Sequence, residues 1–150
     1  YERRRSLSCS LGADRAVSPG TAGDVVGDPD ITFELSGNPA ALDEAIDLTG
    51  YAGQVIVGSW YGTKDISLGL GGEYHRSHVR MQSSQVSSLD PAHADRWDKA
   101  RRMSFVRSWL SERDLSALLT HEFHIDRAPE AYQLLDNNPD EAVQVAFRYG

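Results

Sequence analysis

Ile31-Thr-Phe-Glu-Leu-Ser-Gly-Asn-Pro-Ala-Ala-Leu-Asp-Glu-Ala-Ile-Asp-Leu-Thr-Gly-Tyr-Ala-Gly-Gln-Val-Ile-Val-Gly58 reads as strand, turn, helix, turn and strand. Ile31–Leu35 is a β-branched and aromatic run. Asn38 is a good N-cap, and Pro39 suits the first helical position, where its missing N–H would have had no partner. Leu42, Ala45, Ile46 and Thr49 then recur at helical spacing, with Asp43, Glu44 and Asp47 on the wet face. Gly50 is placed to stop the helix as a left-handed C′ residue, and Gly53 to turn the chain. Gln54–Val57 is a short apolar run of the kind a parallel sheet buries on both faces. Strand, helix and strand within 28 residues make a βαβ unit, whose crossover is expected to be right-handed.

Outward from this unit the signals are more mixed. Residues 1–11 read as the body of a helix, with Leu7 and Leu11 on one face and Gly12 at its end. No cap precedes that helix, so the sequence is expected to open in mid-domain. Arg15–Val17 is a strand candidate closed by Ser18-Pro19-Gly20, and residues 21–30 read mostly as loop. Beyond Trp60 lies a glycine-rich loop over residues 61–72, with a short strand candidate at Asp65–Leu68. A helical turn is expected at Glu73–Ser77, a strand at Val79–Gln82 and a polar connector at residues 89–95. Trp97, Ala100, Met103, Val106 and Leu110 form one helical stripe, which Phe105 and Trp109 widen; this predicts a helix over 96–112 packed on two sides. A strand at 120–125, a helix capped by Asp126 and running to about Leu135, and a strand at 142–147 complete the pattern.

Composition bounds the function. The chain has 150 residues, one domain's worth, and is 40% hydrophobic and 25% charged, which excludes disordered and coiled-coil classes. Its net charge of −7 argues against nucleic-acid and anionic-membrane partners. No apolar stretch approaches the roughly 20 residues of a membrane helix. Cys9, the single cysteine, excludes a disulfide framework. With no charged-then-apolar leader in view, the expectation is a soluble, reduced, cytoplasmic protein.

Five stretches now matter in order: Leu11-Gly-Ala-Asp14, Ile31–Pro39, Gly53–Gly58, His78–Gln85 and Thr120–Tyr132. Their order and spacing resemble the cofactor domain and closing segment of the zinc-type alcohol dehydrogenases of the medium-chain dehydrogenase/reductase superfamily. The resemblance implies an α/β fold: a partial Rossmann-like, doubly wound parallel sheet lacking its first two strands. C-terminal helix and strand elements would return to an absent catalytic domain. It further implies a partial NAD(P)-binding domain over 1–88 and a completing segment over 89–150. The family's GxGxxG turn and the acidic ribose ligand would lie upstream of Tyr1. In the family's sheet, Ile31–Leu35 would become an exposed edge once the first strand is gone.

The function implied is that of a C-terminal fragment of an NAD(P)-dependent oxidoreductase, passing hydride between an alcohol or carbonyl substrate and nicotinamide. Zinc would be bound by the missing N-terminal domain, the fragment alone would be inactive, and the full-length protein would be a homo-oligomer. A zinc-independent quinone-oxidoreductase-like reductase, or a non-catalytic nucleotide-binding or interaction module, stands as the alternative. Ligands in open α/β sheets bind beyond the carboxyl ends of the strands. The resemblance accordingly places cofactor-binding positions at Leu35, Ser36, Gly37 and Asn38, at Val57, Gly58 and Ser59, and at Ser83 and Ser84. Arg4 would flank the adenosine ribose, and Gln144 stands where many members have a basic residue near the pyrophosphate. No catalytic residue and no metal ligand is expected within the chain.

Blander readings accompany these. Arg3-Arg4-Arg5 suits a solvated helix face, and Asn38-Pro39 is explained by the helix start alone. His75/His78 and His121/His124 are each three apart, but neither pair has a third or fourth zinc ligand at motif spacing, and on a strand two such side chains face opposite sides.

Overall fold

In the computed structural model, which describes residues 1–150, the regular elements are α1 (Glu2–Ser10), β1 (Ile31–Glu34), α2 (Pro39–Leu48), β2 (Gln54–Val57), α3 (Glu73–Arg76), β3 (Arg80–Ser83), α4 (Lys99–Ser111), β4 (Leu119–His124), α5 (Ala128–Asn137) and β5 (Gln144–Arg148). They fall into two compact units, one of Ser18–Trp97 and one of Tyr1–Val17 with Asp98–Gly150. The boundary expected at 88/89 lies inside the first of these, and residues 1–17 group with the later segment.

The first unit is built on a parallel three-stranded sheet in the order β1-β2-β3. Thr32 pairs with Val55 and Phe33 with Ile56; Val55 pairs with Met81 and Val57 with Ser83. Because side chains alternate, one face carries Thr32, Glu34, Val55, Val57 and Val79, and α2 packs on it. The core is Leu42, Ala45 and Ile46 from α2 against Val55 and Val79, with Val57, Tyr61, Leu68 and Tyr74 around it. Ile46 and Val55 are the largest fully buried side chains; burial of each contributes about 1.5–3 kcal/mol. On the opposite face Ile31, Phe33 and Leu35 are exposed, Phe33 by 62%.

The helix start follows the sequence. Asn38 accepts a hydrogen bond from the Ala40 amide at 3.0 Å, and Pro39 occupies the first turn. Its end does not: the chain leaves through Thr49 in an extended conformation (φ −73°, ψ 128°), not through a left-handed Gly50. Thr49 Oγ1 donates to the Ala45 carbonyl at 2.6 Å and shares a hydrogen bond with Thr32 Oγ1 at 2.7 Å, tying helix to strand. The strand candidates at Arg15–Val17 and Asp65–Leu68 are irregular. Neither joins the ladder of a sheet, and without a ladder a strand does not exist.

The second unit contains a further βαβ arrangement. Parallel β4 and β5 pair with a register shift between Leu119 and His121, and α5 connects them. Asp126 does not cap this helix: residues Ile125–Arg127 form a 3₁₀ turn, Arg127 is the N-cap residue, and Pro129 enters the first turn. In α1, Arg3 donates to the Glu141 carbonyl at 2.9 Å, which fixes the helix on the turn before β5. The α4 stripe expected to pack on two sides buries no residue. Nowhere is a helix long and apolar enough to cross a membrane.

Candidate functional site

The carboxyl ends of β1 and β2 lie side by side, and the loops that leave them meet on one side chain. Glu34, the last residue of β1, is 3% exposed. Its Oε1 accepts from the Ser36 amide at 2.6 Å, the Ser36 hydroxyl at 2.6 Å and the Gly37 amide at 3.0 Å. Its Oε2 accepts from the Ser59 hydroxyl and, at 2.8 Å, from the Tyr61 hydroxyl. A carboxylate offers about four lone-pair sites, so this one is saturated. Burial alone would raise its pKa, but the donors from Ser36, Ser59 and Tyr61 outweigh burial and bring it from 4.5 to about 2. Burial and the bond to this carboxylate raise the Tyr61 phenol above its ordinary value.

Two more contacts fasten the second loop over the first. Lys64 Nζ donates to the Gly37 carbonyl at 3.0 Å, and the Tyr61 hydroxyl lies 3.4 Å from the Asn38 carbonyl. Gly37 itself has φ +67°, and a Cβ there would stand 3.3 Å from the Trp60 carbonyl oxygen. A left-handed residue with backbone this close needs glycine. At Gly58 an added Cβ would meet Leu35 Cδ2 at 2.7 Å. Leu35 is 71% exposed, so its side chain can swing aside.

The expected cofactor positions divide between the units. Leu35, Ser36, Gly37, Asn38, Val57, Gly58 and Ser59 are brought together around Glu34. Ser84 joins them through its amide, which bonds the Val57 carbonyl at 2.8 Å, and Ser83 pairs with Val57 in the ladder. The Gly58 amide is used by the Glu34 carbonyl at 2.9 Å; the Val57 carbonyl keeps a second lone pair. Arg4 and Gln144 belong to the other unit. There the Arg4 guanidinium donates to the Pro139 and Ala142 carbonyls at 2.8 and 2.9 Å, and Gln144 is exposed at the start of β5.

Sequence reasoning passed over Glu34, Tyr61 and Lys64. The available signal was a lone acid at the carboxyl end of an otherwise apolar strand, followed at once by Ser and Gly whose amides can turn back on it. The histidine pairs assemble no group of three His, Cys, Asp or Glu side chains suited to a metal. His121 Nδ1 lies 3.1 Å from Thr120 Oγ1, His124 Nδ1 lies 3.1 Å from Asp126 Oδ2, and His78 meets the Tyr51 ring edge-on.

No family model matches the chain, and no curated protein matches it. Solved structures do. A short chain alcohol dehydrogenase from Escherichia coli CFT073, complexed with the cofactor NADH, superposes with a TM-score of 0.77 at 17% identity, covering 99% of this chain and 42% of that one. 2R,3R-butanediol dehydrogenase from Bacillus subtilis gives 0.75 at 20% identity, covering 100% and 42%. An alcohol dehydrogenase zinc-binding domain protein from Burkholderia ambifaria gives 0.75 at 17% identity, covering 100% and 40%. The α/β fold and the resemblance to alcohol dehydrogenases therefore hold at the level of fold. The chain spans about two-fifths of the length of these structures.

Proposed function

We propose that the chain is the C-terminal, cofactor-binding part of an NAD(P)-dependent oxidoreductase acting on alcohol or carbonyl compounds, of the zinc-type alcohol dehydrogenase kind. The observation that carries this reading is the meeting of two loops at adjacent carboxyl ends of parallel strands, where open α/β sheets bind nucleotides. Those loops are pinned by Glu34; Gly58 leaves backbone exposed at the end of β2, and Gly37 lies buried against the Trp60 carbonyl. The fold shared with an NADH-complexed dehydrogenase supports it.

A nicotinamide nucleotide would approach the exposed backbone at Gly58 beside Leu35, while Gly37, packed against the Trp60 carbonyl, holds the turn that carries Ser36 and Asn38. Gly37, Asn38, Gly58 and Ser59 would hold it, and when bound it supplies hydride transfer. This chain's task is then positional. Ser36–Asn38 would face the ribose, Val57–Ser59 the carboxamide, and Leu35 would shield the lip from water. The residues present do not form a zinc site. Zinc in the completed enzyme would be held outside this chain.

The test joins the chain to the region encoded ahead of Tyr1 and follows NADH absorbance with a panel of primary and secondary alcohols. Turnover is expected from the completed protein and none from the 150-residue chain. Turnover by the chain alone, or none by the completed protein with either NAD or NADP, contradicts the reading.

A further inference from the structure

We infer that Glu34 is the positioning residue of the strand-end lip, and that affinity for the nicotinamide nucleotide depends on its carboxylate bridging the two loops. This rests on the reading above. One oxygen takes Ser36 and Gly37 from the loop after β1, and the other takes Ser59 and Tyr61 from the loop after β2. Within the lip this is the one side chain that bonds both loops at once through separate atoms. Its rigid strand anchors both, because the β1 backbone is fixed by pairing to β2.

A buried carboxylate needs its lone pairs satisfied, but the donors can all come from the adjacent loop, as in an acid that closes a local turn. Here Ser59 and Tyr61 reach Glu34 across 25 and 27 residues of sequence. Lys64 adds a second tie between the same loops at Gly37, 27 residues away. The double attachment sets the separation of Gly37 from Gly58, and so the width of the lip. Glutamine at position 34 would keep the volume, but its amide nitrogen donates where the carboxylate accepted, so the Ser59 and Tyr61 hydroxyls would have to turn round and accept, and the bridge loses its charge-assisted bonds. Aspartate would keep the charge and lack the reach to bridge both loops.

The experiment measures NADH dissociation constants by fluorescence titration of the completed protein, with a melting curve for every variant to show that it is folded. Glu34→Gln and Glu34→Asp are expected to weaken NADH at least tenfold. Tyr61→Phe and Ser59→Ala, which each remove one donor from the far loop, are expected to weaken it about threefold or more. Ser59→Thr, which keeps the hydroxyl, should restore wild-type affinity. Tyr61→Phe added to Glu34→Gln should cost less than Tyr61→Phe alone, because the bond it removes is already weakened.

A merely structural Glu34 would lower the melting temperature and leave the dissociation constant of the folded variants within twofold of wild type. That result overturns the inference while leaving the functional reading intact. If the Glu34 variants do not fold, Tyr61→Phe, Ser59→Ala and Ser59→Thr decide by the same criterion. Absence of NADH binding by the folded wild-type protein overturns the functional reading, and this inference with it.

Discussion

Glu34 in the strand Ile31-Thr-Phe-Glu-Leu35 alternates with exposed Ile31, Phe33 and Leu35, so by period it belongs to the face that α2 covers. An acid on a covered face is costly until its donors are counted, and all five donors come from residues outside the regular elements. That is why the positions around the site were legible and its centre was not: glycines at strand ends announce a backbone approach, whereas a convergence of hydroxyls exists only in three dimensions. The same network predicts a pH dependence. The folded pKa of Glu34, about 2, lies below the ordinary 4.5. Its contribution to stability is therefore fully present above pH 4.5 and is lost as pH falls through the interval toward 2. The gap is worth on the order of 3 kcal/mol. Urea unfolding of wild type and of Glu34→Gln across this interval should show the difference between them shrinking as pH falls; a difference independent of pH would contradict the carboxylate's role.

At the level of elements, the βαβ unit from β1 to β2 was readable because four local signals agreed: strand composition, an Asn-Pro helix start, helical spacing and a short apolar strand; its helix stop, expected at Gly50, was not. Whether an expected element is paired or covered was less legible. Arg15–Val17 has strand composition and no ladder, and the α4 stripe has the period of a packed helix with no residue buried. Periodicity states which residues share a face, not whether the face is covered. β1 poses the sharper case. It is the outer strand of its sheet, with Ile31, Phe33 and Leu35 exposed and no Lys or Pro to protect it. Such an edge is a template for association. The isolated chain should therefore self-associate in gel filtration with light scattering, and Phe33→Lys should shift it toward monomer by placing a charge on the edge. A wild-type chain that is monomeric at high concentration would show that β1 is protected in some other way.

The whole molecule is two compact units, each with a parallel βαβ arrangement, in a fold shared with alcohol dehydrogenases over nearly the full chain. The resemblance seen in five stretches of sequence is thus matched in three dimensions at the level of fold, at an identity of 20% to one such structure. The positions proposed for the cofactor in Ser18–Trp97 converge at one lip, while Arg4 donates to the carbonyls of Pro139 and Ala142 in the other unit. The central claim is that this lip receives the nicotinamide end of a dinucleotide. Equilibrium titration of NADH into the completed protein and its Gly58→Val variant tests it most directly. Saturable binding at one site per chain, weakened at least tenfold in a variant that melts as wild type does, is the result expected. No saturable binding, or the same dissociation constant in both proteins, would contradict it.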